Sequence, residues 1–271
     1  FGGGEDALVL DNPISSDLDC MRPSALIHLL LAGQRSADKG YPGAAIFEAG
    51  PTYQSPATDG QSLSIAGIRR VETARHWQGN SEPNALSAKA DVLAALGAIG
   101  VNAENLPTGK PSGAYWHPGR AGRIAMGPKI IADFGELHPG ILKSMGIDCR
   151  VCAFEIWPEA IPAGRKKAGK SKGALTLSDL MPVHKDFAFI VPNETPAEKL
   201  LKAVKGADKA LITDVTLFDV YQGKGVEDGH KSLAIDVTMS PKDQTLTDKD
   251  IEAVMDKVTE QAAKVGGVLR G

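Results

Sequence analysis

The chain has 271 residues, 42% of them hydrophobic and 23% charged, with a formal net charge of −3. At about 100–200 residues per domain that length suggests two domains, and the charge excludes the global basic signature of a nucleic-acid-binding protein. No apolar run approaches the roughly 18–20 residues of a membrane span, and no charged segment followed by an apolar one opens the chain as a secretory signal would.

In chain order, Ala7–Leu10 is expected as a strand, closed by the turn residues Asp11-Asn12-Pro13. Pro23–Ala32 is apolar and reads as a helix, and Ala44–Phe47 and Leu63–Ile68 read as buried strands. Gly67–Gln78 is expected to be a loop. Ser87–Ile99 is a helix, with Ala88, Val92, Ala95, Leu96 and Ile99 along one side. Arg123–Met126 and Lys129–Gly135 form a hairpin around Gly127-Pro128, a helix follows from Pro139 to Met145, and Val151–Ile156 is a strand. Strands divided by single helices, without strict βαβ repetition, predict an α+β domain: an antiparallel sheet flanked by helices.

Ala163–Gly173 is small, basic and Gly-punctuated, as an exposed linker is. Gly164–Leu177 holds five basic residues and no acidic one. The division is therefore residues 1–162, a linker over 163–177, and a second domain over 178–271. That last region carries 12 Lys+Arg against 16 Asp+Glu, hence −4, so any nucleic-acid contact there must be a local patch. Its elements are a strand at Phe187–Val191 and a helix at Pro196–Val204 capped by Thr195. A long strand at Leu211–Tyr221 and a Gly-rich turn at Gln222–His230 lead to an alternating strand at Ser232–Met239. A helix opened by the capping box Thr247-x-x-Asp250 and a short strand at Val268-Leu269 complete it. The order β-α-β-β-α-β is the ferredoxin-like arrangement, which many functions share.

Cys149-Arg150-Val151-Cys152 has C-x-x-C spacing, but a zinc site needs two further ligands and a redox pair sits at a helix start. Residues three apart in a strand point to opposite faces. Three cysteines in all argue against a disulfide framework. His117 and His138 each precede a proline, where hydrogen bonding to the backbone is favoured over metal or acid–base work. Glu48 and Glu136 are read as fold-supporting contacts, and Arg120 and Arg123 as facing a partner, RNA or solvent. Arg70-Val71-Glu72 contains an R-x-E of the kind adenylate-forming synthetases use, yet Arg69 replaces the expected apolar residue. No catalytic residue and no metal site is therefore assigned.

Several segments together resemble the β subunit of bacterial-type phenylalanyl-tRNA synthetases. They are Asn12-Pro13-Ile14-Ser15 with Met21-Arg22-Pro23-Ser24-Ala25-Leu26, Phe47-Glu48-Ala49-Gly50, His117-Pro118-Gly119-Arg120-Ala121 and Gly135-Glu136-Leu137-His138-Pro139. In the last region they are Val183-His184-Lys185-Asp186-Phe187-Ala188, Phe218-Asp219-Val220-Tyr221-Gln222-Gly223, Lys231-Ser232-Leu233-Ala234 and Thr245-Leu246-Thr247-Asp248. Their order and spacing, from about Leu10 to Gly271, carry the resemblance. Lys185 departs from it, standing where the family usually has Arg.

The resemblance implies a class II synthetase-like module that has lost catalysis, followed by a ferredoxin-fold anticodon-binding domain. It further implies a cytoplasmic α2β2 partnership with a catalytic α subunit that uses ATP and Mg²⁺, and binding of tRNA(Phe), with no membrane and no DNA partner. No cofactor is expected in this portion. The candidate tRNA contacts are Lys185, Tyr221, Lys224, His230 and Lys231, with the basic linker as a further phosphate contact. The rival readings are a free-standing ferredoxin-like RNA-binding or regulatory protein, and an independent ligase or redox enzyme with a depressed thiol pKa at Cys149 or Cys152.

Overall fold

The computed structural model describes the whole chain except residues 3–5, 17, 72–76, 78–81, 163–177, 242–243 and 271. The expected basic linker lies outside the described residues, as does Glu72 of the R-x-E. The chain divides into two compact units, Phe1–Lys166 and Lys167–Gly271.

The first unit is a six-stranded, wholly antiparallel sheet. Its strands are β1 (Ala45–Tyr53), β2 (Gln61–Arg70), β3 (Thr108–Gly109), β4 (Trp116–Met126), β5 (Lys129–Leu137) and β6 (Val151–Ile156), in the order β1-β2-β6-β5-β4-β3. Three helices accompany it: α1 (Leu26–Asp38), α2 (Ala85–Ala98) and α3 (Pro139–Ser144). Each face of the sheet buries its own apolar cluster. Leu26, Leu29 and Leu30 of α1 pack with Ala66, Ile68, Trp116 and Leu137. Ala88, Val92 and Leu96 of α2 pack with Ile124, Ile131, Phe134 and Ile156 on the other side. The β4–β5 hairpin turns at Gly127-Pro128 as expected.

Four local expectations are corrected. Ala7–Leu10 is no strand: Asp6–Leu8 is one 3-10 turn, and Val9 makes a single bridge to Cys20. α1 starts at Leu26 and runs on through the polar Gln34–Asp38 stretch. Ser24 stays outside it, and its Oγ accepts from the backbone N–H of Leu26 at 3.1 Å. Gly67–Arg70 belongs to β2, paired on both sides with β1 and β6. β1 also runs through Pro51, which an edge strand tolerates because no ladder partner needs the missing N–H.

The second unit is a four-stranded antiparallel sheet of β7 (Val183–Pro192), β8 (Ile212–Tyr221), β9 (His230–Met239) and β10 (Val268–Leu269), with helices α4 (Ala197–Lys205) and α5 (Asp248–Ala263). Strand order β10-β7-β9-β8 makes it the expected ferredoxin-like βαββαβ. Phe187, Phe189, Val191, Leu233, Ile235, Val237 and Met239 pack with Leu200 and Val204 of α4 and Val254 and Val258 of α5. The alternating set, from Asp186, Ala188 and Ile190 to Ala234 and Asp236, forms the other face of the sheet. Thr247 and Asp250 close the expected capping box of α5. α4 differs: Pro196, not Thr195, holds the cap position, and no side chain caps it.

Candidate functional site

Four of the five residues singled out for RNA contact meet at one end of the second sheet. Tyr221 ends β8, Lys224 lies in the turn after it, and His230 and Lys231 open β9. The turn is tied down by polar bonds. Tyr221 OH donates to Lys224 O at 3.3 Å, Gln222 Nε2 to Asn193 Oδ1 at 2.8 Å, and Lys231 Nζ to Asn193 O at 2.9 Å. His230 Nδ1 lies 3.4 Å from Asp228 O, which makes the ring nitrogen the donor. The ladder places Tyr221 beside Ser232, and Ser232 beside Ile190, on the face away from the helices.

Arg270 joins them. It follows β10, its backbone N–H donates to Ala188 O at 2.8 Å, and its guanidinium carbon stands 5.8 Å from the centre of the Tyr221 ring. A guanidinium over a phenol ring is a cation–π contact, and both are planar surfaces on which a base can stack. Tyr221 keeps 39% of its surface exposed beneath this arginine. Sequence reasoning missed Arg270 because nothing near it in the chain marks it. Only the pairing of β10 with β7 brings the penultimate residue to Tyr221.

Lys185 does not join the group. It pairs with Val237, six residues along β9 from Lys231, or about 20 Å at roughly 3.4 Å per residue. By register Lys185 and Lys231 both fall in the helix-facing set, with Phe187 and Val191, whereas Tyr221 lies on the other face. The Lys185 end of the outer face is acidic: Asp186 pairs directly with Asp236, and His184 Nδ1 lies 3.2 Å from Asp236 Oδ1. The Arg270–Lys231 end carries acidic residues as well, Glu194 after β7 and Glu227 and Asp228 in the turn before β9.

In the first unit the conspicuous sequence segments hold each other. Arg22 pairs with Glu48 through Nη2, donates through Nε to Pro51 O at 3.0 Å, and donates through Nη1 to His28 Nδ1 at 3.0 Å. The hydrogen bond from Arg22 holds the Glu48 carboxyl below its ordinary range. Arg120 Nε meets Glu136 Oε2 at 2.8 Å, and Arg150 Nη1 stands 3.6 Å from Glu136 Oε1. Glu48 and Glu136 therefore have separate arginine partners. His117 and His138 each accept, through Nδ1, the backbone N–H two residues on, at 3.1 and 3.0 Å, as expected of them. Arg70 is 5% exposed and is taken up by Pro42 O and Gln34 Oε1. Cys149 packs with the α1-side cluster and Cys152 with the α2-side one, so the two lie on opposite faces. Burial pushes the Cys152 thiol up to about 11, the reverse of an activated thiolate. Among the described residues, no group of three or more His, Cys, Asp or Glu could hold a metal ion.

Residues 2–157 match the family described as the phenylalanyl tRNA synthetase beta chain CLM domain. The chain belongs to that family. Residues 178–270 match the ferredoxin-fold anticodon binding domain. The phenylalanine–tRNA ligase β subunit of Rhodospirillum rubrum is 45% identical over 273 residues, covering all of this chain and 34% of that protein. The one from Rhodopseudomonas palustris is 44% identical over 279 residues, covering all of this chain and 35% of its own length. The chain thus spans about a third of the curated relatives it matches. A pyrrolysyl tRNA synthetase structure from Desulfitobacterium hafniense is 14% identical, with a TM-score of 0.39 over 54% of this chain and 50% of its own. That likeness is too slight to place the first unit's fold.

Proposed function

We propose that this chain is a non-catalytic portion of a phenylalanine–tRNA ligase β subunit. Its first unit serves as scaffold for the catalytic α subunit in a cytoplasmic α2β2 assembly. Its second unit contacts the anticodon region of tRNA(Phe). The observation that supports the second role is the gathering of Tyr221, Arg270, Lys224, His230 and Lys231 at one end of the sheet, with Arg270 over the Tyr221 ring. Stacking on a ring is worth about 1–3 kcal/mol per base, and the cations meet phosphates. Family membership, by residues 2–157 and 178–270, supplies the substrate.

The scaffold role rests on what the first unit spends its polar groups on. Arg22, Arg120 and Arg150 are bound to Glu48 and Glu136, and Arg70 is bound to backbone and Gln34, so these arginines are not free for a triphosphate. ATP and Mg²⁺ belong to the α subunit in this reading. The edge strand β1 meanwhile exposes Ala45, Phe47, Ala49 and Pro51, and Phe47 is 76% exposed. This apolar strip suits an assembly contact.

The test is tRNA(Phe) binding against salt. The Lys224→Ala, Lys231→Ala double variant should bind more weakly, with a salt slope flatter by about two charges. A slope unchanged from the natural chain would remove both lysines from the contact.

A further inference from the structure

Asp133 on β5 and Glu155 on β6 are direct cross-strand partners. Their Cβ atoms are therefore about 5 Å apart on one face of the sheet. Asp133 is 0% exposed and Glu155 2%. Glu155 is ringed by donors: Ser24 Oγ at 3.1 and 3.2 Å, Ser64 Oγ at 3.0 Å and Tyr115 OH at 3.4 Å. Asp133 takes Ser112 N–H at 3.0 Å and Ser112 Oγ on the same oxygen, Oδ2. Its Oδ1 meets no donor at full hydrogen-bond geometry, and the buried Trp116 Nε1–H beside it acts on the Asp133 carboxyl only weakly, favouring its charged form.

Cations are scarce around this pair. Arg123 on β4 is the cross-strand partner of Asp133; it lies at the half-exposed margin, and its charge pulls the Asp133 carboxyl down without outweighing burial. On β2 the next residue in the row is Ala66. On β1 it is Glu48, already held by Arg22, which also occupies His28 of α1. The segment ahead of α1 supplies the Ser24 hydroxyl and the Ala25 backbone N–H but no cation, and Tyr115, pushed far above its ordinary value by burial, stays neutral. Two buried carboxylates with only the half-exposed Arg123 near them cannot both be charged at this spacing without a large desolvation and repulsion cost.

We infer that Asp133 and Glu155 hold one proton between them at neutral pH, seated on Asp133, and that its loss loosens the β5–β6 seam of the first unit. The proton belongs on Asp133 because three hydroxyls and the Ala25 N–H favour the carboxylate form of Glu155, whereas Asp133 has Ser112 on one oxygen and only the weaker influence of Trp116 and Arg123 besides. Burial raises both carboxyls above their ordinary range. The sign follows: the folded chain keeps a proton that the unfolded chain releases near about pH 4. Stability from this pair is full below that value and is lost as pH rises through the folded one.

All three tryptophans, Trp77, Trp116 and Trp157, precede Lys167, so their fluorescence reports the first unit. Denaturant unfolding of the 271-residue chain should be followed by this signal between about pH 5 and about pH 8. Relative to Asp133→Asn, the natural chain's unfolding constant should rise more steeply, by up to about tenfold per pH unit, as one linked proton requires. Parallel profiles for the two would overturn the inference. Infrared spectroscopy serves if the variant does not fold. The natural chain should show the carbonyl band of a protonated carboxylic acid at neutral pH, lost on raising the pH. No such band would equally overturn it. A band that persists in Asp133→Asn but disappears in Glu155→Gln would overturn the seat assigned to the proton.

Discussion

A Cβ built on Gly50 would stand 2.5 Å from Arg22 Nη2 and 2.7 Å from Glu48 Oε1. The glycine is therefore the slot in which the Arg22–Glu48 pair lies. Gly50→Ala should destabilise the first unit by about 1–3 kcal/mol. Adding Arg22→Ala should relieve part of that, because the clash is with the guanidinium, and denaturant midpoints of the two singles and the double measure the coupling. Strictly additive effects would mean that another contact excludes the side chain. Gly135 answers the same logic across β4 and β5. Its φ is +135°, and a Cβ there would collide with the Cα of its cross-strand partner Ala121. With the Arg120–Glu136 pair beside it, the segment around His117 and the segment around His138 are two halves of one contact. Their residue types were legible in the sequence. Their being partners was not, since cross-strand contacts join residues distant in the chain.

Elements whose signals are local are legible in the residues alone. α5 is the clearest case. Thr247 accepts from the backbone N–H of Asp250 while the Asp250 carboxylate accepts from the backbone N–H of Thr247. A four-residue span contains the whole signal. Thr247→Ala should lower the stability of the second unit by about 1 kcal/mol, read as a shift in its thermal midpoint by circular dichroism. A shift indistinguishable from zero would mean that solvent caps the helix as well as Thr247 does. The end of β2 is the contrary case. Arg69 and Arg70 look like loop residues, yet each is in the ladder. Arg69 is held by Asp91 of α2 at 2.6 and 2.8 Å, which raises its pKa further, and Arg70 is buried. A strand with long polar side chains at its end forms only because β1 and β6 pair with it on both sides, and no local pattern reports that. Pro51 misleads in the same way, because its tolerance depends on β1 lying at the sheet edge.

Over the whole chain, a net charge of −3 means that affinity for a polyanion must come from arrangement, not from total charge. The proposed assembly likewise draws on a surface, the exposed β1 strip, and not on total charge. Size-exclusion with light scattering should show this chain eluting with the cognate catalytic subunit as a species heavier than either. Two separate peaks would put the interface outside these 271 residues. The sequence by itself determined the ferredoxin-like order of the second unit, the hairpin and capping signals, and the motif series that marks the family. Each rests on local propensity or on spacing along the chain. Only the tertiary structure decided that Arg270 lies over Tyr221, that Lys185 stands about 20 Å along the ladder from Lys231 at roughly 3.4 Å per residue, and that Asp133 and Glu155 share a buried row. Those depend on strand register, which sums many weak non-local contacts that no short window of sequence contains.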